Sequence, residues 1–161
     1  MAGNAHLRKQ AVRLATVRDA CEIALLSRSQ IEYGLPWVWT PAAVARSIAD
    51  TETNVVVAGK EGAIDGFAVV YFGRTHAHIS LLAVAPEARR RGLATKLLDW
   101  QTKAARVAGI RYMTLEVRSN NVDAQAFYKA NGFKESDTVP RYYRNNEDAL
   151  RMVKRLEIRQ S

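Results

Sequence analysis

The stretch LLAVAPEARRRGLATKLLDW, residues 81–100, joins a strand-like apolar run to an amphipathic helical pattern through a proline, three arginines and a glycine. Adjacent cations repel one another and glycine lowers helix propensity, so both features are costly at the start of a helix. A helix start leaves four backbone N–H groups without partners, and the helix dipole makes it electropositive. Glycine also lets an anion approach the backbone closely, because no Cβ stands in the way. The stretch therefore predicts a phosphate-binding turn at residues 90–95, with a solvated basic turn as the alternative.

Hydrophobic periodicity predicts strands and helices in alternation along the chain. Apolar runs indicate strands at 11–16, 54–60, 63–72, 76–84, 112–117, 133–138 and 148–156, the last of them ambiguous by period. Helical patterns occupy 17–31, 41–50, 92–109 and 121–132. In the first helix, the expected core positions are Ile23, Leu25, Leu26 and Ile31. This order predicts an α/β (α+β) fold with a mixed, mostly antiparallel sheet of six to seven strands and flanking helices. We expect one domain over residues 1–161, with its core at about 11–156.

Composition narrows the classes of protein that fit this pattern. The chain has 161 residues, 48% of them hydrophobic and 25% charged, which is the balance of one globular domain with a real core. It contains no run of 18 apolar residues, and its start, MAGNAHLRKQ, lacks the apolar core of a signal peptide. We therefore expect a cytoplasmic protein without a membrane segment, in which the single cysteine, Cys21, packs as a small apolar residue. The net charge of +8 suits a nucleic acid, an anionic cofactor or an acidic partner, and the arginine cluster at 89–91 makes that turn the place to look for an anion.

The spacing around the arginines narrows the anion further. The pattern Arg89-x-x-Gly92-x-Ala94 follows an apolar strand and Pro86, and it contains neither the G-x-G-x-x-G of dinucleotide sites nor the Gly-Lys-Ser/Thr of a P-loop. It resembles the acetyl-CoA motif of the GNAT N-acetyltransferase superfamily. The resemblance covers residues 13–156. Within it, TLEVRSNNVDAQAFYKANGF and RYYRNNEDALRMVKRL look like the ribosomal-protein alanine N-acetyltransferases and the related N-terminal acetyltransferases.

This resemblance implies that acetyl-CoA binds as a co-substrate and that no metal is needed. The strand at 76–84 is expected to splay from the strand at 112–117, so that the sheet opens between its fourth and fifth strands. Pantetheine would lie in this gap and pair with backbone groups of Leu82 and Val84. The pyrophosphate would rest on Arg90, Arg91, Gly92, Leu93, Ala94 and Thr95. Asn121 matches a cofactor-contacting asparagine of the family, and a helix cap would use the same residue type.

Direct transfer needs an acceptor for the proton of the amine and a donor for the departing thiolate. The resemblance places Glu116 at the position of the catalytic glutamate, with Glu32 in the loop after the first helix as its rival. It also implies that Tyr128 contacts the cofactor and acts as the acid or the thiolate stabiliser. The alternatives are a paired surface glutamate and an aromatic residue that only packs under the sheet.

Two aromatic loops are expected to bind the acceptor. The resemblance implies that Tyr142 and Tyr143 line a peptide entrance, since tyrosine offers a flat contact and a polar tip. The facing wall would come from the loop at 32–40, through Glu32, Tyr33, Trp37 and Trp39. This loop departs from the usual N-terminal acetyltransferase pattern, which leaves the acceptor open. His76 and His78 have strand spacing, and we interpret them as structural residues because no third metal ligand is evident.

Together these features predict an acetyl-CoA-dependent N-acetyltransferase that acts directly on a primary amine, with a peptide or protein N-terminal α-amine as the favoured acceptor. One alternative is an acetyltransferase of a small amine, such as an antibiotic, a polyamine or an amino-acid derivative. Another is a non-catalytic acyl-CoA-binding module. A nucleic-acid-binding protein fits less well, because the basic run lies at the cofactor motif and not on a face interleaved with aromatic residues. Both a monomer and a homodimer are open.

Overall fold

The computed structural model describes residues 11–143 and 147–157. The predicted domain, 1–161, and the middle of the predicted loop before the last strand therefore extend beyond the described residues. Within them, seven strands form one sheet: β1 (Val12–Leu14), β2 (Thr53–Lys60), β3 (Ala63–Phe72), β4 (His76–Val84), β5 (Tyr112–Arg118), β6 (Lys134–Val139) and β7 (Ala149–Arg155). The helices are α1 (Ala20–Gln30), α2 (Pro41–Ala49), α3 (Leu93–Val107) and α4 (Val122–Ala130). The predicted α/β fold with a mixed sheet is confirmed.

The sheet is open and follows the order β1-β2-β3-β4-β5-β7-β6. All neighbouring strands are antiparallel except β4 and β5, which run parallel. Their pairing is short, because it joins only His76 to Tyr112, Ala77 to Met113 and His78 to Thr114 in the described residues. Beyond these pairs the two strands diverge, as predicted for the fourth and fifth strands.

Helices cover both faces of the sheet. On one face, Ile23 of α1 and Val44 of α2 pack with Val55 and Val57 of β2. On the other face, Leu97 of α3 packs with Val56, the residue between them. This alternation is the period of a strand that is buried on both sides.

Two expectations for α1 are wrong. Leu25 is 57% exposed, although the apolar pattern placed it in the core. Cys21 is also exposed and is a free cysteine. The buried stripe of α1 consists of Ala20, Ile23, Ala24 and Ser27. These positions follow the helical spacing of three and four residues, and both Cys21 and Leu25 lie outside that stripe.

No helix in the described part of the chain is both long enough and apolar enough to cross a membrane.

Candidate active site

A cleft of about 620 Å³ lies where β4 and β5 separate. Its walls come from the loop after α1, from β4 and β5, from α4 and from the loop before β7. The polar and aromatic side chains that line it include Glu32, Tyr33, His78, Glu116, Tyr128 and Tyr143. Residues that are far apart in the sequence therefore meet in one cleft.

Beyond His78, the edge of β4 that is turned away from β3 pairs with no strand among the described residues. The N–H of Ala85 donates to the carbonyl of Asp65, 2.8 Å away, so Ala85 points toward β3. Backbone N–H and C=O groups alternate in direction along a strand, so those of Leu82 and Val84 point away from β3. Leu82 lines the cleft, and Val84 lies beyond its lining residues, toward the turn. This is the arrangement that an added, extended ligand could pair with, as the sequence predicts for pantetheine.

The turn after β4 contains two residues in the left-handed region of backbone conformation. Gly92 is the N-cap of α3 and has a left-handed φ of 73°, and Arg90 is also left-handed with a φ of 64°. A Cβ built on Gly92 meets no described atom within 4 Å, so the space above the helix start is open. Leu93 is buried beneath the turn, while the side chains of Arg90 and Arg91 are exposed. The predicted anion site is therefore an accessible helix N-terminus with two exposed cations beside it.

Arg89 serves a different purpose from its two neighbours. Its guanidinium donates to the side-chain oxygen of Gln30, at the end of α1. Its Nε also lies 3.5 Å from the carbonyl of Val84. Arg89 thus ties the turn to α1 and leaves Arg90 and Arg91 as the cations that could meet a phosphate.

Glu116 lies on β5 and lines the cleft, where each of its two carboxylate oxygens contacts another side chain. Its Oε2 lies 2.9 Å from Nε2 of His78, and its Oε1 accepts from Nε of Arg151 at 3.3 Å. Nδ1 of His78 is 2.8 Å from Oγ1 of Thr114, which fixes the ring. The hydrogen bond from His78, followed by the influence of Arg151, holds the pKa of the Glu116 carboxyl below its usual range despite partial burial. Glu116 is therefore a carboxylate over a wide pH range.

Glu32, the alternative glutamate, also lines the cleft, but its carboxylate is hydrogen-bonded to its own loop and to α1. Its Oε1 accepts from the backbone N–H groups of Val38, at 2.8 Å, and Trp39, at 3.1 Å. Its Oε2 accepts from Oγ of Ser27 at 2.9 Å. Glu32 is 7% exposed. A buried carboxylate with both oxygens occupied organises the loop more readily than it exchanges protons with a ligand.

Tyr128 lies on the opposite wall, on α4. It is 8% exposed, and its ring packs edge-on against Phe127 and Phe133, with centroids 5.1 and 5.5 Å away. Burial, with a smaller influence from Tyr143, raises the pKa of the Tyr128 phenol above its ordinary value. Tyr128 therefore packs against neighbouring aromatic rings and also lines the cleft.

Asn121 stands at the start of the same helix. Its Oδ1 accepts from the N–H of Ala124 at 3.2 Å, so it is the N-cap of α4. Asn121 also lines the cleft. The cap is therefore present, and the residue is placed where a ligand could reach it.

The aromatic residues of the two loops divide between the cleft and the core. Tyr142 and Tyr143 pack edge-to-face at 4.9 Å and line the mouth, where burial raises the pKa of Tyr143 to about 12. Tyr33 and Trp39 line the facing wall. Trp37 instead packs against the α1–α2 face of the core, with the Arg28 guanidinium 4.8 Å above its ring. The structure therefore does not bring Trp37 to the acceptor side.

Two cleft residues were not identified from the sequence. His78, interpreted as structural, contacts Glu116, whereas His76 stacks on Tyr112 at 5.5 Å outside the cleft. Arg118 lines the cleft and contacts both loops. The spacing of His78 on β4 is visible in the sequence, but its partner depends on the β4–β5 register. In the described residues, no group of three or more His, Cys, Asp or Glu side chains could hold a metal ion.

Comparison with known proteins gives one consistent result. The profile of the acetyltransferase (GNAT) family matches residues 20–133. An uncharacterized N-acetyltransferase of Methanocaldococcus jannaschii is 35% identical over 100 residues, which are 62% of this chain and 64% of that protein. The N-alpha-acetyltransferase daf-31 of Caenorhabditis elegans is 44% identical over 80 residues, 48% of this chain and 43% of that protein. The matched regions thus span only about half to two thirds of these relatives.

Among solved structures, Ard1 from Thermoplasma volcanium superimposes with a TM-score of 0.79 and is 28% identical. The superposition covers 91% of this chain and 97% of that one. The likeness therefore extends over nearly the whole chain.

Proposed function

Because the chain belongs to the acetyltransferase (GNAT) family, we propose that it transfers an acetyl group from acetyl-CoA directly to a primary amine, with a peptide or protein N-terminal α-amine as the acceptor. The observation that carries the proposal is the edge of β4 that pairs with no strand beyond His78 among the described residues. It leads from the left-handed turn at Gly92 to the Glu116–His78 pair. A thioester whose phosphates rest on the turn would present its carbonyl beside that pair.

The cofactor would be held mainly by backbone groups. N–H groups of the turn, together with the exposed guanidinium groups of Arg90 and Arg91, would bind the pyrophosphate. The remaining turn contacts would come from Gly92, Leu93, Ala94 and Thr95. Pantetheine would pair with Leu82 and Val84 as an added strand, and Asn121 would contact it from the start of α4.

Glu116 would receive the proton of the amine. The neutral amine nitrogen attacks the thioester carbonyl carbon, the C–S bond breaks, and one N–H proton must leave the nitrogen. A carboxylate with a lowered pKa is a weak base toward a free ammonium group. It can still accept a hydrogen bond from the neutral amine, directly or through water, and take the proton once the new C–N bond has made the nitrogen acidic.

Tyr128 would stabilise the departing sulfur. Its pKa is raised further by burial, while a thiol has a pKa of about 8.5. Full proton transfer from the phenol to the thiolate would therefore be uphill. A hydrogen bond from the phenol to the thiolate requires no such transfer, and the buried position of Tyr128 strengthens it.

The weak basicity of Glu116 favours an α-amine over a lysine side chain. With a reference pKa of about 8, roughly a tenth of an α-amine is neutral at pH 7, against about 0.04% of a lysine near 10.4. The Tyr142–Tyr143 pair and Tyr33 offer flat surfaces with polar tips for a peptide backbone. The relative daf-31, named an N-alpha-acetyltransferase, supports the same acceptor. We further propose that the protein acts in the cytoplasm, where its exposed Cys21 would stay reduced.

The test offers the enzyme acetyl-CoA with short peptides that carry an internal lysine and either a free or a blocked N-terminus. A panel of small amines is assayed beside them, and release of free CoA is followed. We expect turnover of the free peptides and loss of turnover on blocking. Turnover that survives blocking would indicate acetylation of the lysine side chain, and turnover that occurs only with small amines would establish the small-amine alternative. Binding of acetyl-CoA without turnover of any acceptor would instead indicate an acyl-CoA-binding module.

A further inference from the structure

Arg118 occupies the point where β5 ends and both acceptor loops meet. Its side chain is 7% exposed. Its own backbone carbonyl accepts from Nε2 of Gln125 at 3.1 Å, which links it to α4. A buried guanidinium is costly unless its donors are satisfied, so its partners indicate what it is there to hold.

One side of the guanidinium holds the loop after α1. Nη2 donates to the carbonyl of Ile31 at 2.9 Å and to the carbonyl of Tyr33 at 2.6 Å. The guanidinium carbon also lies 4.0 Å from the centre of the Tyr33 ring, a cation–π contact. This wall of the cleft is therefore anchored to Arg118 through its backbone.

The other side holds the loop before β7. Nη1 lies 3.2 Å from Oε2 of Glu147, and the guanidinium carbon lies 5.5 Å from the centre of the Tyr143 ring. The N–H of Tyr143 in turn donates to the backbone carbonyl of Glu147 at 3.1 Å. One planar group thus contacts both walls of the cleft, which lie at residues 31–33 and 143–147 of the chain.

We propose that Arg118 is a positioning residue that sets the spacing of the two acceptor-binding loops and thereby the affinity for the acceptor. The inference rests on the proposed function, since it assigns a role within the same cleft. The guanidinium acts through Tyr33 and Tyr143, because its Nη2 donates to the loop carbonyls and its Nη1 to Glu147. The turn at Gly92 is not among its partners, so the clamp should affect the acceptor and leave acetyl-CoA binding unchanged.

The first test is Arg118→Lys. Lysine keeps the charge but loses the planar fork that reaches two carbonyls and a carboxylate together. We expect the KM for the acceptor to rise about tenfold, which corresponds to the loss of one or two charge-assisted hydrogen bonds. The KM for acetyl-CoA should change less than about twofold, since none of those bonds lies at its site.

Arg13→Lys is the matched control. Arg13 also forms a two-pronged pair, with Nη1 and Nη2 donating to Asp19 at 2.8 and 2.9 Å, but it lies at β1 away from the cleft. This variant should lower the melting temperature and leave both KM values unchanged. An equal change of both KM values in Arg118→Lys, or an unchanged acceptor KM, would overturn the proposal.

A second measurement does not depend on activity. Hydrogen exchange followed by mass spectrometry should show faster exchange in peptides spanning 31–39 in Arg118→Lys, with β2 and β3 unchanged. If the wild-type enzyme turned over no acceptor, the proposed function would fail, while the exchange data would still decide whether Arg118 holds the loops. Should Arg118→Lys not fold, Glu147→Gln tests the same clamp from its other end. It should raise the acceptor KM in the same direction, and an unchanged acceptor KM there would also overturn the proposal.

Discussion

The proposed cofactor-binding and acceptor-binding regions, which we call the cofactor end and the acceptor end, are built in opposite ways. The cofactor end is one continuous piece of chain, in which β4, the turn at Gly92 and the start of α3 follow one another. The acceptor end is assembled from the loop after α1, from the end of β5 and from the loop before β7. Glu116 and His78 lie where the two ends meet.

This difference predicts that the backbone conformation of the cofactor end must be kept, whereas the side chains of the acceptor end can vary. A strand, a turn and a helix start bind a phosphate through backbone groups, so the cofactor end depends on conformation more than on particular side chains. The acceptor end depends on contacts between distant side chains. Substitutions in its loops can therefore change the acceptor without disturbing acetyl-CoA.

The largest expected effect separates the two glutamates of the cleft. Glu116→Gln should lower kcat/KM for the acceptor about 100-fold, because positioned acid–base groups typically contribute at least that much. Glu32→Gln should lower it less than about threefold, since an amide can still accept from the loop backbone. Release of free CoA measures both.

Calorimetry with acetyl-CoA is the control for this pair, and its affinity should be the same in both variants. A larger loss of activity in Glu32→Gln than in Glu116→Gln would indicate that Glu32, in the loop after α1, accepts the proton. Proton transfer would then depend on the acceptor end and not on Glu116, where the two ends meet.

The next effect tests whether the cofactor end depends on backbone shape. Gly92→Val places a branched side chain in the open space above the helix start, at a φ of 73°. Gly109→Val is the matched control, because Gly109 has a φ of 76° and also faces open space, but it lies just past the end of α3. Both variants should lose about 1–2 kcal/mol of stability through backbone strain.

Only Gly92→Val should weaken the binding of acetyl-CoA, by about tenfold or more, because only there does the side chain block an approaching phosphate. Calorimetry gives the affinity and thermal unfolding gives the stability. Equal affinity in the two folded variants would show that the phosphate does not rest on this turn.

The same contrast explains how far the sequence could predict the molecule. The strands, the helices and the turn at Gly92 depend on neighbouring residues, whose apolar period and special backbone needs are visible in a short window. Leu25 and Cys21 were misplaced because several stripes of α1 contain apolar residues. The choice among them depends on which face meets the sheet.

The acceptor end could not be predicted in the same way. His78 becomes a partner of Glu116 only because the parallel register sets it opposite Thr114. Arg118 becomes a clamp only because two loops fold over it. Neither relation is encoded within a window of the chain, and no spacing rule would have distinguished these residues from ordinary polar ones.

The smallest expected effect concerns the contact between the two ends, which is the hydrogen bond from His78 to Glu116. The folded chain holds the pKa of Glu116 below its usual range, mainly through this bond. The resulting stabilisation is therefore fully present above the unfolded pKa and is lost as the pH falls through the folded pKa. Because the His78 side chain is 35% exposed, solvent limits the coupling to about 0.5–1 kcal/mol.

A double-mutant cycle of His78→Gln and Glu116→Gln, followed by thermal unfolding, isolates this coupling from the other titrating groups. We expect the coupling near pH 7 and its disappearance as the pH is lowered well below the usual range of a glutamate. Since 1 kcal/mol shifts the melting temperature of a domain of this size by about 2–4 °C, the effect is measurable. A coupling that persists after the Glu116 carboxyl, followed by NMR titration, has become protonated would mean that the bond does not depend on an ionised Glu116. The carboxylate would then not be the charged acceptor at which the two ends of the cleft meet.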